Sequence, residues 1–439
     1  MRTRLSFWLG VLIALFITHA GQAAVPAQHF TMDNGLVVVL VESHANPMSH
    51  VRILFPGGSY HDPKGKEGVA SLAAWMANEG AGNRDATAFQ AVMDFHGIHL
   101  NGDSSRDHFG VEMTTLTEHE QTAWQLFADA VLTPRFDQDI FQRAAEERLA
   151  SLKRNQEDPE HFASRIFMEN LYKDHLHARP TKGSLDSVPT IKVNDLKKFR
   201  EDVVRAPGAV LVVAGDMTLN RLKGLVETHL NALSNKPTPL RPPSKKSWGE
   251  PGIAAHKEMD VSQTTVQMGF VGIERQDPDY FTVILLDHLL GGGGFGSRLN
   301  EEIREKKGLV YSVYSYYAPW PGRGPWIIWL QTKNESVQEA VDTVKTQLKD
   351  LAENGPSEKE ITDAKLHLVG SFPLRLRGLS TLASVWASVA FYRRGWDYLD
   401  TWTERVEAVT RDDLQRVAKR FFKLDQLHVV TVGKSERKE

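Results

Sequence analysis

Apolar residues in this chain fall into short β-branched runs and longer amphipathic stretches, in the same order twice over. After an Asn34-Gly35 turn, Gly35 to Glu42 reads as a strand, followed by Val51 to Phe55; Thr264 to Gly272 opens the second half in the same way. Short apolar runs bounded by turn residues predict buried strands. Helices follow, then further strands, then a long helical stretch, which in the first half runs through Asp137 to Tyr172. The pattern predicts an α+β fold of two similar halves, each a mostly antiparallel sheet with helices packed on one face.

A weak internal repeat supports the two halves. Val193-Asn194-Asp195-Leu196 leads through a helix to Val210–Gly215. Arg411-Asp412-Asp413-Leu414 leads through a helix to His428–Gly433, with Asp195 on Asp413, Leu196 on Leu414, Val212 on Val430 and Gly215 on Gly433. In each copy the acid is read as the cap of the helix N-terminus. Between the copies, Ser234 to Gly252 is rich in proline and lysine without apolar periodicity, and reads as an extended, solvated linker. The expected division is therefore 24–233, a linker at 234–252, and 253–439.

The N-terminus changes the picture of location. Arg2 and Arg4 precede an apolar run from Phe7 to Ile17, and Gly21-Gln22-Ala23 offers small residues for cleavage. This reads as an export signal cleaved near Ala23, predicting a periplasmic protein; the run is shorter than the roughly 20 residues a spanning helix needs. The alternative, a retained anchor, stays open. The chain has no cysteine, which excludes thiolate metal sites, cysteine nucleophiles and disulfides. Its formal charge of -3 becomes -5 once the two leader arginines are gone, and gives no support for a nucleic-acid partner.

The segment richest in chemistry is Leu289 to Tyr317, LLGGGGFGSRLNEEIREKKGLVYSVYSYY. Gly291 to Gly294 is no phosphate loop, since no Walker lysine-serine pair follows; a glycine run before a helix reads as a close backbone crossing or flexible turn. Ser297 reads as an N-cap, Leu299 and Ile303 share a buried face, and Gly308 reads as the helix stop. Arg304 falls in the last turn, where a solvated charge paired with Asn300 or Glu301 is the plain expectation; Tyr311 opens the next strand.

This order of parts resembles the second half of the pitrilysin/insulinase (M16) family of zinc metallopeptidases, a duplicated metallohydrolase-like (LuxS-type) fold. The resemblance runs from about Phe30 to Gly433. It implies that Arg304 and Tyr311 hold the substrate peptide and support charge developing on its carbonyl. Family members carry His-x-x-Glu-His on the first helix of the first half, two histidines binding zinc and a glutamate activating water. By resemblance, Gly57-Gly58-Ser59-Tyr60-His61-Asp62 and Gly65-Lys66-Glu67-Gly68 lead to that helix. The histidine positions are then Ser71 and Trp75, the base position is Ala74, and, counting from Glu147-Arg148, the third-ligand position is Arg154. None of the 17 histidines, His96, His99, His119, His175 and His177 among them, forms a helical pair around a glutamate.

The resemblance thus implies a chain with no catalytic residue and no metal of its own. It is expected to be the substrate-binding, non-zinc subunit of a two-chain peptidase, inactive alone, with zinc on a partner homologue that carries His-x-x-Glu-His. Extended peptides are the expected substrate. The alternative is a catalytically inert peptide-binding or scaffold protein of the same fold.

Overall fold

The structure, a computed structural model, describes residues 26–239 and 251–434. The expected export signal and the middle of the expected linker lie outside the described residues. The described ends of the linker are tied down: Ser234 O accepts from Ala206 N, Arg205 donates to Pro237 O at 3.0 Å, Thr238 is buried, and Gly252 N donates to Asp425 O.

The first sheet is built from β1 (Gln28–Thr31), β2 (Val37–Glu42), β3 (Met48–Pro56), β4 (His99–Ser104), β5 (His108–Leu116) and β6 (Val210–Gly215), in the order β1-β2-β6-β3-β5-β4. The second uses β7 (Ala254–Glu258), β8 (Gln263–Glu274), β9 (Val310–Tyr317), β10 (Arg323–Lys333) and β11 (His428–Gly433), in the order β7-β11-β8-β10-β9. Matching β2 to β7, β6 to β11, β3 to β8, β5 to β10 and β4 to β9 makes the two orders identical, with β1 added to the first. The pairings agree as well. β2 runs parallel to β6 and β7 parallel to β11, and the other pairs are antiparallel. The duplication read from the sequence is therefore a duplication of topology.

Helices of the first half are α1 (Val69–Trp75), α2 (Ala86–His96), α3 (Glu120–Leu132), α4 (Gln138–Arg154), α5 (Pro159–Tyr172), α6 (Val193–Val203) and α7 (Leu219–Leu230). Those of the second are α8 (Tyr280–Asp287), α9 (Val337–Glu353), α10 (Glu358–Ser371), α11 (Leu379–Phe391), α12 (Tyr398–Glu407) and α13 (Arg411–Phe421). The Asp137–Tyr172 stretch breaks where Pro159 starts α5 and Asp158 accepts from Glu160 N at 2.9 Å; proline suits a first helical position because its missing N–H has no partner there anyway. Asp195 and Asp413 sit three residues inside their helices, not at the cap. Each carboxylate reaches back to the N-cap N–H, Lys192 N at 2.8 Å and Thr410 N at 3.2 Å.

Helix placement departs from the expected single layer. The inner face of the first sheet (Leu36, Val38, Leu40, Val51, Ile53, Phe55) packs on α1, α2, α3, α4, α6 and α7, as expected. Its opposite face (Val39, Val41, Leu54, Val210, Val212) is covered by α11 from the second half, through Ala383, Trp386, Ala387 and Val389. Reciprocally, α5 of the first half lays Ala163, Phe167, Met168 and Leu171 on Ile327, Val430 and Val432 of the second sheet. Each half thus lends one helix to the other, and both sheets are covered on both faces. A two-sided sheet needs strands apolar at every position, and β6 is buried throughout.

Candidate functional site

The first candidate location is α1. Asp62 anchors its start, its two carboxylate oxygens accepting from Gly68 N and Ala70 N, both at 2.8 Å. Burial pushes this carboxyl up to about 7, against the two backbone N–H groups, which favour the charged form. The helix lies tightly on the edge strand β4: a Cβ on Gly102 would stand 2.1 Å from Ala74 O. Only glycine admits that approach.

At this well-built place the side chains are wrong for a metal. Ser71 is half-buried, Ala74 is buried, and Trp75 packs against the core of the first half with the Arg143 guanidinium 6.0 Å from its ring. α4 packs beside α1, and its last residue, Arg154, is exposed. Methyl, indole and guanidinium groups offer no lone pair for zinc, and a cation repels it. Among the described residues, no group of three or more His, Asp or Glu side chains is placed to hold a metal ion. The residues present do not fit zinc.

Beside α1 lies a cleft of about 560 Å³, lined among others by Glu67, Arg106, Arg148, Arg179 and Lys182. Arg179 faces Glu67 at 3.9 Å. Arg148 donates to the Lys182 carbonyl at 3.4 Å, and burial holds its pKa below the ordinary arginine value. Arg106 stacks on Trp320 of the second half at 4.3 Å and donates to Arg179 O. Such a cleft suits carbonyl and carboxylate groups better than a cation.

The second location is the edge strand β9 and the turns before it. Asn300–Glu305 is wound as a π-helix, as is His288–Gly292 upstream. Single π turns inside helices are frequent at functional sites. The glycine run is a close crossing at its start: a Cβ on Gly291 would stand 2.5 Å from Ser315 N. Ser297 is not a simple cap. Its hydroxyl donates back to Gly294 O at 2.7 Å and accepts from the Asn300 amide, which also donates to Val313 O at 2.9 Å. Leu299 and Ile303 are fully buried, as their spacing predicts, and Gly308 ends the helix with φ +63°. Beneath β9, half-buried Asp287 accepts from Ser315 Oγ at 2.8 Å and Trp326 Nε1 at 2.7 Å; desolvation of the carboxylate raises its pKa to about 6 despite these donors.

On this base the structure brings Arg304 and Tyr311 together. Arg304 Nε donates to Tyr311 O at 3.0 Å, and its guanidinium carbon lies 5.9 Å from the Tyr311 ring. Its ion-pair partner is Glu305 at 2.6 Å, in place of the expected Asn300 or Glu301. The Tyr311 side chain stands in solvent, 87% exposed, with its phenol available to a ligand. A third member escaped the sequence reading: Phe295, 76% exposed, holds the Arg304 guanidinium 4.7 Å from its ring centre. An exposed phenylalanine directly after a glycine run is the signal that marks it. The two locations lie on the corresponding edge strands, β4 and β9, of the duplicated sheets.

Between the halves is a polar lock that the sequence reading did not find. His108 Nδ1 meets Ser105 Oγ at 2.7 Å and Asp107 at 3.4 Å, and its Nε2 meets Asp103 at 3.2 Å. Tyr392, just past α11, donates to Asp107 at 2.8 Å, and Arg52 pairs with Asp103 and Glu112. Burial opposes the charge on His108, but the Asp103 and Asp107 carboxylates outweigh it and raise the imidazole to about 9. A raised pKa means the lock stabilises the fold fully below the ordinary histidine value and loses that contribution as pH rises through about 9. Thermal melting followed from pH 6 to pH 10 should show wild type falling toward a His108→Gln variant; parallel curves would contradict the lock. His175 and His177 are buried nearby, His177 bonded to Tyr60 at 2.7 Å and held down to about 3 by burial and by His175.

Comparisons with known proteins give the family and the fold. The insulinase (peptidase family M16) domain matches residues 37–184, and the peptidase M16 inactive domain matches residues 190–368. The chain is 28% identical over 391 residues to the non-peptidase homolog YmxG of Helicobacter pylori, spanning 85% of this chain and 86% of that protein. It is 24% identical to the uncharacterized zinc protease YmxG of Bacillus subtilis, spanning 81% and 86%. A crystal structure of a peptidase M16 inactive domain from Pseudomonas fluorescens superposes with a TM-score of 0.89 at 29% identity, covering 94% of this chain and 99% of that one. With two M16 domains in series and the duplicated sheets that go with them, the chain is a member of the M16 (insulinase) peptidase family.

Proposed function

We propose that this chain is the substrate-binding, non-zinc subunit of a two-chain M16-type peptidase that acts on extended peptides in the periplasm. One observation carries the reading: the α1 positions that the family resemblance assigns to ligands and base hold Ser71, Ala74 and Trp75, while Arg304 and Tyr311 on the second half are joined and Tyr311 is open to solvent. The scaffold that would aim a metal-bound water is intact, and the groups that would hold the metal and take the proton are gone. A peptide strand added to an edge such as β9 would pass Tyr311 and the Arg304 guanidinium. There the two side chains donate to a carbonyl on which charge develops. Zinc and the general base then come from a partner chain with His-x-x-Glu-His.

The test is reconstitution. The purified chain alone should leave unstructured peptides intact, and mixing it with a zinc-motif homologue encoded nearby should start chelator-sensitive hydrolysis. Chelator-sensitive hydrolysis by the chain alone contradicts the assignment. A second reading, an inert peptide-binding or scaffold protein, is favoured by the description of the Helicobacter relative as a non-peptidase homolog. It predicts peptide binding that no such homologue converts into cleavage.

A further inference from the structure

A second cleft, of about 700 Å³, opens on the second half between the loop leading into α8 and the turn joining α11 to α12. Its charges do not balance. On one wall Asp279 pairs with Arg416 at 2.7 Å and Arg420 at 2.8 Å, and Asp277 pairs with Arg420. Those carboxylates are spent. Arg275, Arg393 and Arg394 also line the cleft, and among the described residues none of the three has a carboxylate within ion-pair distance.

Two of these arginines, Arg394 and Arg275, are held in place by something other than an anion. Arg394 donates to the Tyr398 phenol at 2.6 Å and the Tyr280 phenol at 3.1 Å. Both phenols accept from the guanidinium, and the two are also hydrogen-bonded to each other, so between them one O–H is left to donate. Arg275 lies 3.6 Å from the centre of the Tyr392 ring, and its Nε is buried with no hydrogen-bond partner. Burial and the nearby Arg394 both disfavour the charge on Arg275. Arg393 is exposed and adopts φ +52°, a left-handed conformation uncommon for a residue with a side chain. Keeping the buried Arg275 guanidinium charged without an ion pair is costly unless an anion relieves it.

We propose that this cleft binds a phosphate-bearing small molecule, its phosphate held by Arg275, Arg393 and Arg394, with the remaining O–H of the Tyr280–Tyr398 pair as a further donor. A phosphate brings close to two negative charges and three acceptor oxygens, enough for several forked guanidinium contacts; a single carboxylate offers two oxygens and one charge. The remaining volume, walled by Phe281 and the tyrosine rings, accepts the organic part. The site does not depend on the peptide reading.

Calorimetric titration of the full chain with inorganic phosphate at low salt tests it. One site with a Kd of about 1 mM or tighter is expected, weakened roughly tenfold or more in Arg275→Gln and in Arg393→Ala. Arg165→Ala, on α5, should bind as wild type does. Arg393 is exposed, so its variant decides the matter even if Arg275→Gln fails to fold. Absence of binding up to about 10 mM phosphate, or unchanged affinity in either cleft variant that folds, overturns the proposal.

Discussion

In a reconstituted pair, Arg304→Ala is expected to lower kcat/KM for an unstructured peptide by about 100-fold or more, the usual cost of deleting one donor aimed at a developing oxyanion. The guanidinium is fixed from three sides: Nε on Tyr311 O, Nη1 on Glu305, and one face on Phe295. Side chains locked in this way lose little entropy when a substrate arrives, so their contribution to the reaction is large. Arg304→Lys keeps the charge but not the fork, and should recover only part of the loss. Tyr311→Phe removes a single exposed hydroxyl and leaves the backbone carbonyl that Arg304 uses, so it isolates the phenol's share. If kcat/KM is unchanged in both Arg304→Ala and Tyr311→Phe, the pair is a remnant, and the scaffold reading replaces the peptidase reading.

The largest expected loss of stability comes from the exchanged helices. Phe167 of α5 is fully buried against the second sheet, although it belongs to the first half. Phe167→Ala should cost about 3–5 kcal/mol, the range for deleting a buried phenylalanine and leaving a cavity. Because the same ring joins the two halves, the variant should also separate their unfolding, turning one cooperative denaturant transition into two. Phe95→Ala is the control: that ring is 84% exposed, and its loss should change stability by less than about 0.5 kcal/mol. A loss at Phe167 as small as at Phe95 would show that the exchange does not hold the halves together.

The duplicated sheets were legible in the sequence because β-branched runs and their fixed offset are local signals. The exchange of α5 and α11 was not. Amphipathicity shows which face of a helix is apolar, but not which sheet will cover it. A trace of it was present all the same. Val37 to Val41 and Val210 to Ala214 are apolar at consecutive positions, and strands with one solvated face would alternate. The Arg304–Tyr311 pair was legible through resemblance, and its helix through Leu299, Ile303 and Gly308. The π winding, the Glu305 partner and Phe295 were not, since they depend on how the turn closes on β9. The arginine-lined cleft joins Arg275 to Arg393 and Arg394, far apart in the chain, and no spacing announces such a cluster.

Whether α1 lacks the donors of a metal helix can be measured without substrate or partner. The isolated chain, equilibrated with zinc and then freed of excess, should carry far less than about one zinc per chain, because Ser71, Ala74, Trp75 and Arg154 offer no ligand set. Retention of about one tightly held zinc per chain, removed by a chelator with loss of any peptide cleavage by the chain alone, would contradict that lack of donors.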